Sequence, residues 1–200
     1  MIKGAILLTA LLLAGCATTP PPSAPSPTGS VTTTPTGPVT TDCGEELRAE
    51  LLAMLERDQA GRLGGVDEEG DQARTERLEV VISECGWPTI SMVGEDGEDA
   101  AWAIAQHSDL DPEFQERALE LLRAAGDDVS PGNVAYLDDR VRAGRGEPQK
   151  YGTQVACVDG DIGPANGFDD EGAVDELRAE AGLEPLEEYY ASFGPDFCTE

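Results

Sequence analysis

The chain has 200 residues, 40 acidic against 13 basic side chains, and a formal charge of −27. That balance excludes a nucleic-acid binder, because phosphate binding draws on Lys and Arg, and it excludes an electrostatic grip on anionic lipid. At 40% hydrophobic residues the chain is not a multi-span membrane protein, yet it holds enough apolar side chains for one domain-sized core.

Met1 to Gly15 opens with a single cation, Lys3, and continues as an apolar run through Leu13 and Ala14. The run is too short to cross a hydrocarbon core of ~30 Å and reads as the apolar segment of a signal peptide. Leu13-Ala14-Gly15-Cys16 resembles the lipobox of bacterial lipoproteins, which implies cleavage before Cys16 and acylation of its sulfur and its new amine. Residues 17–42 hold seven of the fourteen prolines, many threonines and no charge before Asp42, a composition that buries nothing and predicts a disordered, semi-stiff tether. The expected organisation is therefore a signal peptide over 1–15, a lipidated tether over 16–42 and one helical domain over 43–200. This puts the domain outside the cytoplasm, on the outer membrane in a cell with two, with lipid as its link to the bilayer.

Export means oxidising conditions, and Cys43, Cys85, Cys157 and Cys198 form an even set with three connectivities. Leu47, Leu51, Met54 and Leu55 recur at helical spacing from Glu45 to Leu63, where Gly64-Gly65 ends the pattern. A second helix follows over Asp71 to Glu84, with Leu78, Val81 and Ile82 inward. Folded as an antiparallel hairpin, the two bring Cys43 to Cys85, which leaves Cys157 with Cys198. Pro88 then stops the chain, Gly94 to Asp99 reads as a loop, and Asp99 to His107 is apolar almost all round, the mark of a central buried helix.

Asp111-Pro112-Glu113 is a strong helix start, and Phe114, Ala118, Leu121, Leu122 and Ala125 form its inner face. Ser130-Pro131 repeats the signal for a helix lined by Val134, Leu137 and Val141. Gln149 to Val158 alternates as a strand or hairpin closed by Asp159-Gly160. A last helix spans Gly172 to Ala181, and the aromatic tail from Leu186 to Phe193 docks on the body. The fold class is mainly α, a compact helical domain with one short β element.

His107, the only histidine, lies on the line of Ala100, Ala103 and Ile104, so its ring points inward. Asp58 and Arg62 stand four apart on the stripe of Leu51 and Leu55, which sends an acid and a base inward as well. Unpaired buried charge is costly, so these groups must meet partners. Asp109, Asp139, Arg140, Gln149, Tyr151, Thr153 and Gln154 sit at the edges of other apolar stripes, and one cluster shared by several helices is the economical arrangement. No cofactor is predicted, though His107 with Asp109 and Asp139 could take a divalent cation. Ser108 and Thr153 are hydroxyls without a recognisable nucleophile setting.

The strings Arg57-Asp58-Gln59-Ala60-Gly61-Arg62, Gly86-Trp87-Pro88, Gln106-His107-Ser108-Asp109, Tyr136-Leu137-Asp138-Asp139-Arg140-Val141 and Pro148-Gln149-Lys150-Tyr151-Gly152-Thr153-Gln154 resemble the hallmarks of a bacterial domain family of unknown function. The resemblance runs from about Glu45 to Tyr190 and implies that these polar strings belong to one module. Two readings follow. One is a binding or structural module with an unidentified protein or small-molecule partner. The other is an envelope hydrolase or transferase with His107 as general acid or base, Asp109 or Asp139 orienting it, Arg62 and Arg140 on an anionic group, and Tyr151, Thr153 and Gln154 in the pocket.

Overall fold

The computed structural model describes residues 42–67, 69–194 and 196–199. The expected signal peptide, Cys16 and nearly all of the expected tether lie outside these residues. Seven helices and one hairpin follow in order: α1 (Glu45–Arg62), α2 (Gly70–Cys85), α3 (Ile90–Gln106), α4 (Pro112–Ala125), α5 (Pro131–Gly144), β1 (Val155–Val158), β2 (Asp161–Pro164), α6 (Val174–Glu180) and α7 (Leu186–Ala191). Among the described residues no helix is long and apolar enough to cross a membrane.

Helix α1 buries Leu47, Leu51, Met54 and Asp58, a stripe at helical spacing whose last member is an acid. The stripe packs chiefly along α3. Helix α2 buries Arg74, Thr75, Leu78 and Val81 and also leans on α3. The Cys43–Cys85 disulfide joins the start of α1 to the end of α2, with Cα atoms 5.8 Å apart, as the hairpin argument requires. The hairpin is nonetheless opened by α3, which supplies the main partner surface for both arms.

Helix α3 is the centre of the bundle and touches α1, α2, α4 and α5. Ala100 through Gln106 are all buried, as expected of an apolar helix with no solvent face. Its start differs from the expected loop over Gly94 to Asp99. Only Gly94 leaves helical geometry, at φ 77° and ψ 166°, and the helix resumes at once. The acidic stretch is stabilised as helix from two sides. Arg48 of α1 clamps Asp96 through Nε and Nη2 at 2.9 and 2.5 Å, and Asp96 Oδ1 accepts from the Gly97 amide at 2.9 Å. Glu98 turns inward and is fully buried.

Asp111 caps α4 by accepting from the Phe114 amide at 2.9 Å, with Pro112 in the first turn. Its inner face is Phe114, Gln115, Ala118, Leu119 and Leu122, and Leu121 and Ala125 are only partly buried, so the face is rotated from the expected one. Helix α5 starts at Pro131 as expected, although the Ser130 side chain makes no cap bond. The core is one continuous cluster from α1 to α5. Each fully buried leucine in it, such as Leu51, Leu78 or Leu122, contributes roughly 1.5–3 kcal/mol by transfer from water.

The β element is an antiparallel hairpin with Val155 opposite Pro164 and Val158 opposite Asp161, turned by Asp159-Gly160. It begins six residues later than the alternation from Gln149 suggested, because residues 149–154 are drawn into a loop around buried polar side chains. The expected helix from Gly172 resolves into a single 3-10 turn, Glu171–Ala173, and α6. The aromatic tail docks through α7, where Tyr189 is buried, and the Cys157–Cys198 disulfide ties its end to β1.

Candidate functional site

Three helix ends meet at one pole of the bundle: the last turn of α1, the first turns of α2 and the C-terminus of α3. His107 caps α3, its amide bonding to the Ala103 carbonyl at 3.1 Å. Its Nδ1 lies 3.0 and 3.1 Å from the two carboxylate oxygens of Asp58. Arg62 Nε donates to the same carboxylate at 3.1 and 3.2 Å. Arg62 Nη2 reaches Asp71 at 3.0 Å, and Arg74, only 1% exposed, is clamped by Asp67 and Asp71 at 2.7 and 2.6 Å.

Burial pushes the Asp58 carboxyl up, but the hydrogen bonds and charges of His107 and Arg62 outweigh it and hold it at about 2. An ionised Asp58 accepts, so Nδ1 donates to it in the tautomer that leaves Nε2 unprotonated, whereas Arg62 Nε, 3.1 Å away, donates to Nδ1 in the other. His107 lines a cleft of about 460 Å3.

The cleft runs between the C-terminus of α3, the start of α4, the second half of α5, the strand entry at 153–155 and α7. Its other polar group is centred on Arg140, which grips Asp109 through Nε and Nη2 at 3.0 and 2.5 Å and reaches Gln154 Oε1 from Nη1 at 3.0 Å. Gln106 donates to the same Gln154 oxygen at 3.4 Å, and Gln115 donates to Asp109 at 3.1 Å. The rest of the lining includes apolar and aromatic side chains, Pro112, Val141, Val155, Tyr189 and Phe193. Tyr189 and Phe193 meet edge to face at 5.1 Å.

His107, Arg62, Asp109, Arg140, Thr153 and Gln154 thus line one cleft, and Asp58 stands directly behind His107. The remaining candidates do other work. Asp139 is fully buried and accepts from the amides of Lys150, Tyr151 and Thr153 and from the Thr153 hydroxyl, at 2.8 to 3.1 Å. Burial pushes its carboxyl above the ordinary range, against those donors. It shapes the loop and does not orient His107; that role falls to Asp58.

Gln149 is likewise structural, its amide bonding to the carbonyls of Gln154 and Ala165 and to the Gln154 amide. Tyr151 does not line the cleft, and its backbone carbonyl receives Arg178 Nη1 at 2.8 Å. Ser108 Oγ donates to the Ile104 carbonyl at 2.8 Å and shares a bond with Thr75 at 2.7 Å, fully buried, so it is no exposed nucleophile. With Asp109 held by Arg140 and Asp139 by backbone amides, the set His107, Asp109 and Asp139 does not converge on a cation. Among the described residues no group of three or more His, Cys, Asp or Glu side chains is placed to hold a metal.

Residues that hydropathy alone does not reveal complete the site. Gln106 and Gln115 are buried amides in the polar wall, and Arg74 supports Asp71, a partner of Arg62. Gln106 carried a signal in its place beside His107. Arg74 and Arg178 carried none, since arginines on helices read as surface charge.

The fold and cleft define the molecule as a small, disulfide-tied helical domain with a histidine–carboxylate pair at the edge of an amphipathic cleft. The chain belongs to DUF6624, a family of unknown function whose pattern matches residues 63–196. The matched region holds His107, Asp109, Arg140, Thr153 and Gln154, whereas Asp58 and Arg62 on α1 precede it. No curated protein and no solved structure matches the chain.

Proposed function

We propose that this chain is a lipid-anchored envelope protein whose folded domain binds a small molecule in the cleft beside His107. The observation that carries the binding reading is the open cleft of about 460 Å3, lined by both polar and aromatic side chains. That size lies within the usual range of small-ligand sites, roughly 300–1,000 Å3. A purely structural polar network would be sealed. Here Arg62 and His107 meet the cleft on one side and are backed by the buried Asp58, so the network is a preorganised wall.

The anchor reading rests on Leu13-Ala14-Gly15-Cys16 and the uncharged Pro/Thr-rich segment after it. Acyl chains at Cys16 would hold the membrane, at ~0.8 kcal/mol per buried methylene, and the segment would hold the acidic domain clear of it. Cys16→Ser is expected to lose labelled palmitate and leave the membrane fraction. Unchanged membrane association overturns the anchor.

The cleft is tested by ligand-induced stabilisation of the full chain in detergent against a small-molecule library. His107→Ala is expected to keep a near-normal melting temperature and lose the ligand response. A large fall in melting temperature, with no ligand found for the native chain, means a structural network instead.

A second reading is favoured by one specific geometry, the Asp58–His107 pair at the edge of the cleft. This is the arrangement of a general base. With Ser108 buried and Thr153 bonded to Asp139, no lining hydroxyl is set up as a nucleophile, so a hydrolase of this design would activate water directly. Asp58→Asn separates the two readings. In a binding module it weakens the ligand, and in an enzyme it leaves binding and removes turnover.

A further inference from the structure

Every charged side chain that lines the cleft already has a counter-charge. Arg140 is paired with Asp109, and Arg145 with Glu116 at 2.8 Å. Arg62 is held by Asp58 and Asp71. A charged ligand would therefore be desolvated without a free partner, or would have to break a pair that is already made. The expectation that Arg62 and Arg140 grip an anionic group does not fit this arrangement, and a chain of net charge −27 gives an anion no long-range help.

What the cleft does offer is neutral hydrogen bonding. Gln106 lines it, is 1% exposed, and its Oε1 has no partner among the described residues. One end of that amide is an unspent polar group inside the polar wall, and Nε2 of His107 is a second. The Tyr189 hydroxyl is spent on the Thr153 carbonyl at 2.8 Å and one side of its ring lies under the Arg178 guanidinium, so Tyr189 and Phe193 add carbon surface to the lining. A lining of planar amide, imidazole and guanidinium groups together with aromatic rings fits a molecule with hydroxyls on its rim and C–H bonds on its face.

Resting on the binding reading above, we infer that the ligand is a neutral, hydroxyl-rich ring compound of saccharide type, with its C–H face on Tyr189 and Phe193 and its hydroxyls toward His107, Gln106 and Gln154. The geometry requires no net charge on it.

Four test ligands applied to the detergent-solubilised full chain by saturation-transfer NMR decide this: N-acetylglucosamine, its anionic relative glucuronate, its cationic relative glucosamine, and indole as an apolar neutral. N-acetylglucosamine is expected to receive transfer at its ring C–H protons, with both charged sugars bound about tenfold more weakly or worse, the cost of an uncompensated charge. Phe193→Ala is expected to abolish the transfer. Val155→Trp, which fills the cleft from a strand position that accepts aromatic residues, is expected to do the same if the Phe193 variant is unstable.

Tighter binding of either charged sugar overturns the neutral class, and sugar transfer that survives both substitutions overturns the site. Transfer to indole alone, lost in Val155→Trp, overturns the hydroxyl-rich class and leaves the cleft as a binding site. No transfer to any of the four overturns both the class and the binding reading.

Discussion

At the scale of single residues, two buried carboxylates behave in opposite ways because their surroundings differ. Asp58 sits against a guanidinium and an imidazole and is held at about 2. Glu98 is fully buried with no cation beside it, accepting from the Asn133 amide at 2.8 Å and more distantly from the Ser130 amide. The Trp87 indole beside it joins these amides in pulling its carboxyl down, while the neighbouring Asp99 adds to the rise. Burial pushes Glu98 up to about 7.

The folded state therefore holds a proton on Glu98 that the unfolded chain releases nearer its ordinary value of 4.5. Between about 4.5 and 7 the folded state binds more protons, so stability falls as pH rises, by a total of about 3 kcal/mol. Asp58 acts in the other direction: its contribution is complete above its ordinary 3.8 and is lost as pH falls toward about 2. Glu98→Gln is expected to flatten the dependence between 4.5 and 7 and to raise stability at pH 8 by about 1–3 kcal/mol. Urea midpoints across a pH series measure it, and an unchanged slope would show that Glu98 stays ionised in the fold.

At the scale of elements, the segment between α5 and β1 is built around side chains that grip backbone. Asp139 and Gln149 hold residues 149–154 in a loop, and Arg178 of α6 bonds to the carbonyls of Tyr151 and Glu184. Gly152 lies in the middle of this loop at φ 68°, and a Cβ there would stand 2.7 Å from Phe168 Cε1 and 2.9 Å from Leu186 Cδ1. Gly152→Ala meets both an unfavourable backbone region and a steric clash, for an expected loss of about 2–3 kcal/mol. Because Leu186 begins α7, the substitution should also raise hydrogen exchange at the Tyr189 amide, which bonds to the Pro185 carbonyl. A variant of native stability and protection would show that the loop yields easily.

The helical elements were the legible part of the chain. Apolar spacing, Asp111-Pro112 and the paired glycines after α1 are local signals, and the helices they mark follow them closely. The start of α3 was not legible, since a Gly- and acid-rich stretch has little helix propensity and is held by Arg48 from another helix. In the site, the inward histidine, Asp58 and Arg62 could be read from the stripes they share with leucines. Asp139 and Gln149 could be read as polar groups at the edges of apolar stripes but not as structural, because their partners are amides that any sequence would supply.

At the scale of the whole molecule, the two disulfides divide the labour. Cys43–Cys85 closes the α1–α2 end of the bundle, and Cys157–Cys198 fastens the tail whose Phe193 forms a wall of the cleft. With sequence separations of 42 and 41, each constrains the unfolded chain by roughly 2–4 kcal/mol. Replacing either pair with serine is expected to lower the melting temperature by a similar amount. Only loss of Cys157–Cys198 should also weaken a ligand of the cleft, as thermal melts with paired binding measurements would show. Equal loss of affinity in both variants would place the coupling in the bundle and not in the tail.

By itself the sequence determined the mainly helical class, the cysteine partners, and the inward placement of His107, Asp58 and Arg62, because each follows from periodicity along one or two neighbouring helices. Only the tertiary structure decided that Asp58 and not Asp109 or Asp139 backs the histidine, that Arg140 is already neutralised, and that Tyr189 of α7 and Phe193 just after it share their cleft. These depend on which helix ends meet across the core. That is set by the summed packing of all the buried faces, and spacing within any one of them carries no record of it.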